Sequence, residues 1–454
     1  MEEILKSVND FVWGIPALVL ILGVGVYLTV LTNFAQIRLL PKALNQFRQM
    51  LLGGTANDSF KALCTALAAT VGTGNIAGVA GAIALGGPGS IFWMWVCAFL
   101  GMVTKYAEAV LAVLYREKSA SGELLAGPMY MIRQGMPRRF HWLGTAYCLF
   151  GCLAAFGVGN ATQINAVVDS AASAAAFFGL RLTSGHNLLL GGMLGILAMW
   201  SLLGGGKRIG KCTSVLIPVA SGAYILLCLL AILGRFDRIG QAFWKILSGA
   251  FCPRAVTGGL LGSSFAALRV GISRGVFTNE AGMGTAAIAH GTAQPQDPRD
   301  QGLMGITEVF LDTVVICTLT ALVILTSGIS IPYGLDEGAA LTTRAFASVL
   351  GPWVSVAISL FLALFAFATI LGWGFYGMRC VHYLLGERAE KPFVFLMLLG
   401  SFAGILLGTG PVWSLSETVN GLMAIPSLLV LAVLGPKAAQ GTKNESARRR
   451  SREC

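Results

Sequence analysis

Long uninterrupted apolar runs dominate this chain of 454 residues. A helix needs roughly 18 or more apolar residues to cross the hydrocarbon core of a bilayer, and eleven segments are predicted to do so: 11–33, 60–84, 89–115, 142–170, 187–204, 211–234, 256–275, 301–327, 351–378, 392–410 and 412–434. Only 12% of the residues are charged, against about 25% in soluble domains. The sequence therefore predicts an all-α polytopic membrane protein with eleven transmembrane helices.

The net charge of +11 follows the map of predicted spans. If the N-terminus lies outside, 23 of the 32 Lys and Arg residues, Arg274 among them, fall in cytoplasmic segments, and seven, including Arg344, fall outside. Cytoplasmic loops of membrane proteins carry such a basic surplus. The sequence thus predicts a cytoplasmic C-terminus, with a basic tail at 435–454 near anionic lipid. Nucleic acid is not an expected partner.

Internal symmetry gives the first indication of function. Behind an N-terminal helix and cytoplasmic loop (1–59), the ten remaining spans divide into halves, 60–234 and 256–434, of five spans each. Because five is odd, the halves must have opposite orientations. Each opens with a glycine-interrupted span, V-G-T-G-N-I-A-G at 71–78 and G-G-L-L-G-S-S at 258–264. Paired interruptions in inverted halves indicate a transporter's binding site, although glycines also serve close helix packing.

Other classes of protein fit the residues less well. Residues 72–77 formally match the dinucleotide fingerprint, but that motif needs a preceding strand and an acidic residue about 20 positions later. Here the motif lies within an apolar span, and 90–104 contains no Asp or Glu. The ten cysteines form no C-x-x-C pair that would indicate zinc or a disulfide framework. Neither an enzyme, nor a channel, nor an organic cofactor is predicted.

Several motifs resemble those of the alanine/glycine:cation symporter family, in the family's order: T-V-G-T-G-N-I-A-G-V-A-G at 70–81, G-G-P-G-S-I-F-W-M-W at 86–95, G-P-M-Y at 127–130, the cluster Gly159, Asn160, Gln163 and Asn165, R-G-V-F-T-N-E-A-G-M-G at 274–284, and T-I-L-G-W at 369–373. The resemblance implies a LeuT-type fold, with two inverted five-helix repeats behind one extra N-terminal helix. It also implies sodium-coupled import of alanine, glycine or a similar amino acid across a prokaryotic inner membrane.

Three positions depart from the family pattern: Ala126, Thr278 and Leu260. The first two are peripheral, whereas Leu260 changes a residue of the expected pocket, so the exact substrate stays open. Serine or glutamine is an alternative substrate, and protons are an alternative coupling ion. The oligomeric state is also left open.

The expected site combines the chemistry of these residues with the resemblance. At the first interruption, the backbone of Thr73, Gly74 and Asn75 is expected to receive the substrate carboxylate, with the Asn75 side chain touching substrate or ion. Gln163 lies in a polar stretch that would be costly against lipid, and its amide can accept from the substrate ammonium. Leu260, Gly262 and Ser263 supply the corresponding part of the second half.

The remaining expected residues lie on the ninth span and beside the first interruption. Thr369 offers a hard hydroxyl oxygen to sodium, and by resemblance to LeuT-type carriers it faces the carbonyls of Ala68 and Val71. Trp373, one turn further on, is expected to wall the pocket, although a buried Trp is more often simple packing. Thr369 is expected to contact both substrate and Na⁺.

Charged residues inside spans are candidates for function by default. Lys105 and Glu108, three residues apart on one helix, are predicted to form a structural ion pair rather than a proton relay. Asp312, four residues after Glu308, is the place to look for proton coupling. The four histidines lie at span ends or in loops, so a histidine path for protons across the membrane is not expected.

Overall fold

The structure, a computed structural model, describes residues 12–53, 57–252, 264–407 and 409–453, with side chains for all of these except 403–404, 406–417 and 441–453. The first part of the chain is helical and contains α1 (Ile15–Leu31), α2 (Ala35–Arg38), α3 (Leu40–Leu52), α4 (Asp58–Thr70), α5 (Val79–Gly86), α6 (Gly89–Leu114), α7 (Pro128–Gly135), α8 (Trp142–Phe156), α9 (Thr162–Phe177), α10 (Ser184–Leu202), α11 (Gly205–Leu233) and α12 (Ile239–Phe251).

The second part of the chain is also helical. It contains α13 (Ser264–Asn279), α14 (Thr285–His290), α15 (Pro298–Val309), α16 (Thr318–Ser327), α17 (Ala339–Leu350), α18 (Val354–Leu385), α19 (Glu390–Leu407) and α20 (Thr409–Glu453). Strands β1 (Glu117–Lys118) and β2 (Leu124–Leu125) form a small antiparallel hairpin. Short 3₁₀ turns lie at Arg138–Phe140, Phe236–Arg238 and Glu387–Ala389.

Local sequence signals set several helix ends. The side chain of Asn57 accepts the backbone N–H of Phe60 at 2.8 Å and caps the start of α4. Asp297 caps α15 in the same way through Arg299 N–H, and Pro298 occupies its first position. Such caps satisfy amides that have no partner within the helix. Gly386 stops α18 with φ of 85°, a left-handed conformation that favours glycine.

Three of the spans change to wider π-helical winding part-way along their length. These π segments are Gly74–Gly78, which leads into α5; Gly157–Ala161, between α8 and α9; and Phe310–Cys317, between α15 and α16. A π turn disturbs the regular i to i−4 ladder, and such turns are frequent at functional sites. The sequence pattern gave no indication of the second and third.

Seven helices in the described part of the chain are long and apolar enough to cross a membrane, or eight if the bent pair formed by α4 and the segment Gly74–Gly86 counts as one span. The helices on either side of that bend differ in direction by 51°, which confirms the predicted interruption at 71–78. α1 and α17 are shorter apolar helices. The multi-pass helical architecture is therefore confirmed, in a coarser form than the eleven predicted spans.

The spans differ in how deeply they are buried. α6 is an interior helix, and even its charged residues Lys105 and Glu108 are enclosed. α10 and α11 are peripheral and expose rows of large apolar side chains, among them Leu188, Leu189, Met193, Ile196 and Trp200 on α10 and Val215, Val219, Leu226 and Leu230 on α11. The polar groups that can bind a ligand therefore lie inside the bundle.

Small residues bring two interior helices close to the first interruption. A Cβ added to Gly372 of α18 would lie 2.8 Å from the backbone nitrogen of Ala69 on α4. Gly159, in the second π segment, lies directly against Trp373 of α18. Close approach of this kind requires a residue without a side chain. α18 is thereby held against both α4 and the start of α9.

Candidate functional site

The first interruption is held open by its own asparagine. Asn75 Oδ1 accepts the backbone N–H of Gly72 at 2.9 Å, so the side chain satisfies an amide that the bend releases. Its Nδ2 donates to Asp312 Oδ1 at 2.7 Å. Asn75 is fully buried. Both ends of the side chain are thus engaged by the protein, and Asn75 ties the first interruption to the third π segment.

Gln163 lies beside the same interruption. Thr73 Oγ1 donates to Gln163 Oε1 at 3.3 Å. Gln163 Nε2 donates to the carbonyl of Val158 at 2.9 Å, within the second π segment. Thr73 and Gln163 are both 3% exposed. The structure therefore brings together Thr73, Asn75 and Gln163, three of the expected substrate-binding residues.

Thr369 places a hydroxyl oxygen, a type of ligand that sodium prefers, against the first interruption. A Cβ added to Gly72 would lie 2.6 Å from Thr369 Oγ1, so the hydroxyl touches the interrupted backbone. That hydroxyl is buried and has no hydrogen-bond partner among the described residues. Ala68 and Val71, next to Gly72, are buried as well. Leaving a buried hydroxyl unpaired costs about 1–3 kcal/mol; a sodium ion would remove this cost by accepting the oxygen as a ligand.

Trp373 lies one turn beyond Thr369 and is 1% exposed. Its indole Nε1 donates to Glu280 Oε1 at 2.9 Å, and its Cβ lies against Gly159, four residues before Gln163. The ring is therefore fixed between α9 and the second half of the chain, beside the other site residues. Its hydrogen bond to Glu280 was not foreseen from the sequence.

Three expected residues, Leu260, Gly262 and Ser263, lie outside the described residues, as does nearly all of the interruption predicted at 258–264. The structure shows an interruption further along the chain, between α13 and α14. Glu280 there has φ of 54°, and Gly282 and Gly284 have φ of 90° and 78°. The signal for this break was present in N-E-A-G-M-G at 279–284, which contributed only to the family resemblance.

Asn279 organises this second interruption. Its Oδ1 accepts the backbone N–H of Ala281 at 3.0 Å, and its Nδ2 donates to Thr313 Oγ1 at 3.2 Å. Thr313 Oγ1 in turn donates to Asp312 Oδ2 at 2.7 Å. Asp312, expected as a candidate for proton coupling, thus lies between the two interruptions and is bonded towards both.

The predicted ion pair between Lys105 and Glu108 is wrong. Lys105 Nζ instead bonds Glu308 Oε1 at 2.7 Å, and His290 Nε2 lies 2.9 Å from the other oxygen of Glu308. All three side chains are completely buried. Glu308, on α15, provides a better-placed partner than the neighbour on the same helix, because α6 and α15 cross where Gly305 allows contact with the backbone of Lys105.

Two cavities flank these residues. One, of about 670 Å³, is lined by charged residues of α4, α11 and α18, including Lys61, Lys211 and Arg379. The other, of about 630 Å³, is lined by Gly78, Asn165, Asp169, Arg274 and Asp336. The first adjoins Thr65 and Phe375, and the second adjoins Gly78 and Thr162. Thr73 lies between Thr65 and Gly78 along the chain, and Trp373 lies between Leu362 of the second cavity and Phe375 of the first. Gln163 lies next to Thr162, on the side of the second cavity.

The second cavity corrects one assignment of sidedness. Arg274 was counted with the cytoplasmic residues and Arg344 with the outer ones. Arg274 Nη2 lies 3.4 Å from Asp336 Oδ2, and Arg344 pairs with the next residue, Glu337. The two arginines therefore belong to the same side of the protein. The span that carries Arg274 does not end near residue 275, as predicted. It continues through α13 and the second interruption to α14.

Comparisons with known proteins bear on the family of the chain. A model of the sodium:alanine symporter family matches residues 1–453. The sodium/alanine symporter AgcS of Methanococcus maripaludis is 42% identical over 448 residues, which cover 97% of this chain and 96% of AgcS. The probable sodium/glutamine symporter GlnT of Bacillus subtilis is 36% identical over 440 residues, covering 96% and 88%.

A solved structure supports the fold. MhsT in complex with L-phenylalanine superposes with a TM-score of 0.58 over 84% of this chain and 97% of MhsT, at 12% sequence identity. At that identity the likeness concerns the fold alone, and it confirms the LeuT-type architecture. The family model and the two relatives each match nearly the whole chain. The chain therefore belongs to the sodium:alanine symporter family.

Proposed function

We propose that this protein is a secondary active transporter that uses a sodium gradient to carry a small neutral amino acid, alanine or glycine, into the cell. The observation that carries the proposal is the unpartnered hydroxyl of Thr369 against Gly72, beside the contact between Thr73 and Gln163. An oxygen suited to sodium and an amide suited to an amino acid thus meet at one interruption.

Each component of the substrate has a group that fits it. The freed amides at Thr73 and Gly74 suit the carboxylate, since they lie at the start of the helical segment that leads into α5. Gln163 Oε1 suits the ammonium, and it already accepts a donor from Thr73 at 3.3 Å. Na⁺ would be held by Thr369 and by carbonyls near Ala68 and Val71. Leu260, Gly262 and Ser263 would complete the wall from the second half.

The inverted-repeat architecture is part of the proposal. In each half a bent span (α4–α5, α13–α14) is followed by a second span (α6, α15–α16), and then by a short helix, α7 or α17, before the next long one. This shared order supports halves of 60–234 and 256–434 behind the segment 1–59. With the segments 392–410 and 412–434 included, the spans number eleven, with the N-terminus outside and the basic segment 435–454 in the cytoplasm.

The surroundings follow from this architecture. The exposed apolar faces of α10 and α11 would contact lipid of a prokaryotic plasma membrane, and the transporter uses no organic cofactor. Relatives differ in the substrates that their names state: alanine for AgcS and glutamine for GlnT. A larger neutral amino acid such as serine or glutamine is therefore the second candidate, and coupling to protons is the alternative to sodium.

Uptake of labelled amino acids by proteoliposomes tests the proposal. A sodium, potassium or proton gradient is imposed in turn on vesicles that contain the purified protein. Saturable alanine uptake that requires the sodium gradient supports symport. An equal rate with all three gradients, or no uptake above empty vesicles, rejects it.

A further inference from the structure

A cluster of buried charges surrounds the second interruption. Four carboxylates, those of Glu108, Glu280, Glu308 and Asp312, are each at most 2% exposed. The bases in the cluster are Lys105 and His290, which are also buried. Even if both bases are positively charged, four ionised carboxylates leave an excess of negative charge. Uncompensated charge is very costly away from water, so the cluster needs either a further cation or a protonated carboxyl.

Three of the carboxylates receive a polar partner at each oxygen. These partners are Lys105 (2.7 Å) and His290 (2.9 Å) for Glu308, Trp373 (2.9 Å) and Thr285 (2.6 Å) for Glu280, and Asn75 (2.7 Å) and Thr313 (2.7 Å) for Asp312. Such pairing suits the ionised form, because a carboxylate is purely an acceptor.

Glu108 is different. Its Oε1 accepts the backbone N–H groups of Gly282 at 2.8 Å and Gly284 at 3.2 Å. Its Oε2 is buried and has no hydrogen-bond partner in the part of the chain that the structure describes. A second buried and unpartnered oxygen lies beside Gly284: a Cβ added to Gly284 would be 2.7 Å from Ser427 Oγ of α20. One half of the carboxyl thus holds the interruption, while the other half lacks a donor.

We propose that Glu108 is a proton-binding site, with the proton on Oε2 while Oε1 accepts the two backbone N–H groups of the second interruption. The neutral carboxyl keeps its two backbone bonds and removes one negative charge from the cluster. The titratable groups that face it are Lys105 on the same helix, Glu308 on α15, Tyr147 on α8 and Tyr376 on α18. Glu280 and His290 belong to the same cluster through Lys105 and Glu308. The hydrogen bonds that Glu108 makes within the described residues involve no side chain assigned to the substrate or to sodium.

The consequence for transport rests on the proposed symport. Loss of the proton leaves a charged Oε2 that is repelled by the carboxylate of Glu308, and this weakens the hold of Glu108 on the second interruption. Uptake should therefore fall as pH rises, even when the pH is equal on both sides of the membrane. For a single group, the protonated fraction falls about tenfold per pH unit once most of it is ionised. The proton controls the rate, whereas the sodium gradient drives accumulation.

Infrared spectroscopy of the purified protein tests the site without any transport assay. The wild type at neutral pH should show the carbonyl band of a protonated buried carboxyl. Glu108→Gln should lack this band, because glutamine has no carboxyl group. The glutamine side chain still offers an acceptor for the N–H groups of Gly282 and Gly284, so the second interruption keeps its hydrogen bonds. Glu117→Gln, at a partly exposed glutamate paired with Arg133, should leave the band unchanged. Identical wild-type and Glu108→Gln spectra in this region overturn the proposal, whether or not the protein is a symporter.

Uptake at symmetric pH provides the second readout. Glu108→Gln should keep its uptake at alkaline pH, where the wild type loses it. If a folded Glu108→Gln protein is inactive at every pH, or follows the wild-type pH profile, the proposal is wrong. If the variant does not fold, the wild type provides the test. Its protonated-carboxyl band must be present at neutral pH and must disappear over the pH range in which uptake falls. A wild type without this band at neutral pH overturns the assignment.

Discussion

Asn75 and Asn279 make similar hydrogen bonds in the two interrupted spans. Each side chain accepts a backbone N–H of its own interruption and donates its amide to the π segment Phe310–Cys317, Asn75 to Asp312 at 2.7 Å and Asn279 to Thr313 at 3.2 Å. Because Thr313 also donates to Asp312, one chain of hydrogen bonds joins both interruptions. A movement of one interruption is therefore expected to displace the other.

The bond between Asn75 and Asp312 can be tested by exchanging its partners. Asn75→Asp places two carboxylates at the 2.7 Å contact, which removes the donor and adds repulsion in a buried site. We expect loss of uptake and a lower melting temperature of the purified protein. Adding Asp312→Asn restores a donor and an acceptor, so the double variant should be more stable than Asn75→Asp alone. Strictly additive effects would show that the two residues are not coupled.

Gln163 is expected to bind the ammonium group of the substrate. Gln163→Leu keeps the size of the side chain but removes its donor and acceptor, so substrate binding should weaken by about 1–3 kcal/mol. Competition with unlabelled alanine measures this change. Asn160→Leu is the matched control, since Asn160 joins helices through Met397 and Ser401. It should lower stability and leave apparent affinity unaltered; unchanged affinity in Gln163→Leu would assign Gln163 to packing.

Thr369 is expected to set the sodium requirement. Thr369→Val removes the hydroxyl at nearly constant shape, and the sodium concentration for half-maximal uptake should rise, by an amount corresponding to about 1–3 kcal/mol. Thr369→Ser should restore it. Thr342→Val serves as the control, because the Thr342 hydroxyl already bonds the carbonyl of Ile76 at 2.8 Å. An equal shift in sodium dependence for both valine variants would contradict the assignment.

Trp373 is expected to limit substrate size. The ring is fixed by Glu280 and Gly159, so it cannot easily yield to a larger side chain. Alanine and glycine should compete best for labelled alanine uptake, serine less well, and leucine and phenylalanine hardly at all. Each surplus methylene changes discrimination by only about 1–3 kcal/mol. Trp373→Ala should admit larger side chains and weaken alanine; leucine competing as well as glycine in the wild type would refute the assignment.

The sequence predicted the features that depend on apolar length and on glycine within it. The spans followed from continuous hydrophobic runs, and the first interruption followed from Gly72, Thr73, Gly74 and Asn75 in such a run. The grouping of Thr73, Asn75 and Gln163 at one place was also expected. For Thr369, the family resemblance gave the partner segment, and the structure places its hydroxyl against Gly72.

Other features depend on contacts between residues far apart in the chain. Lys105 pairs with a carboxylate 203 positions away, which helical spacing on its own segment could not reveal. The interruption at 280–284 was missed because Arg274 and Glu280 made the segment look like the end of a span. The π segments Gly157–Ala161 and Phe310–Cys317 leave no residue pattern, since extra backbone per turn is set by packing rather than by side-chain type.

Alanine uptake into proteoliposomes under one gradient at a time, with the same pH on both sides when sodium is varied, decides between coupling to sodium and coupling to protons. With sodium as the coupling ion, an inward sodium gradient drives accumulation of labelled alanine above the external concentration, and dissipating a proton gradient leaves this accumulation unchanged. Accumulation that persists without sodium, and that collapses when the proton gradient is removed, would contradict coupling to sodium.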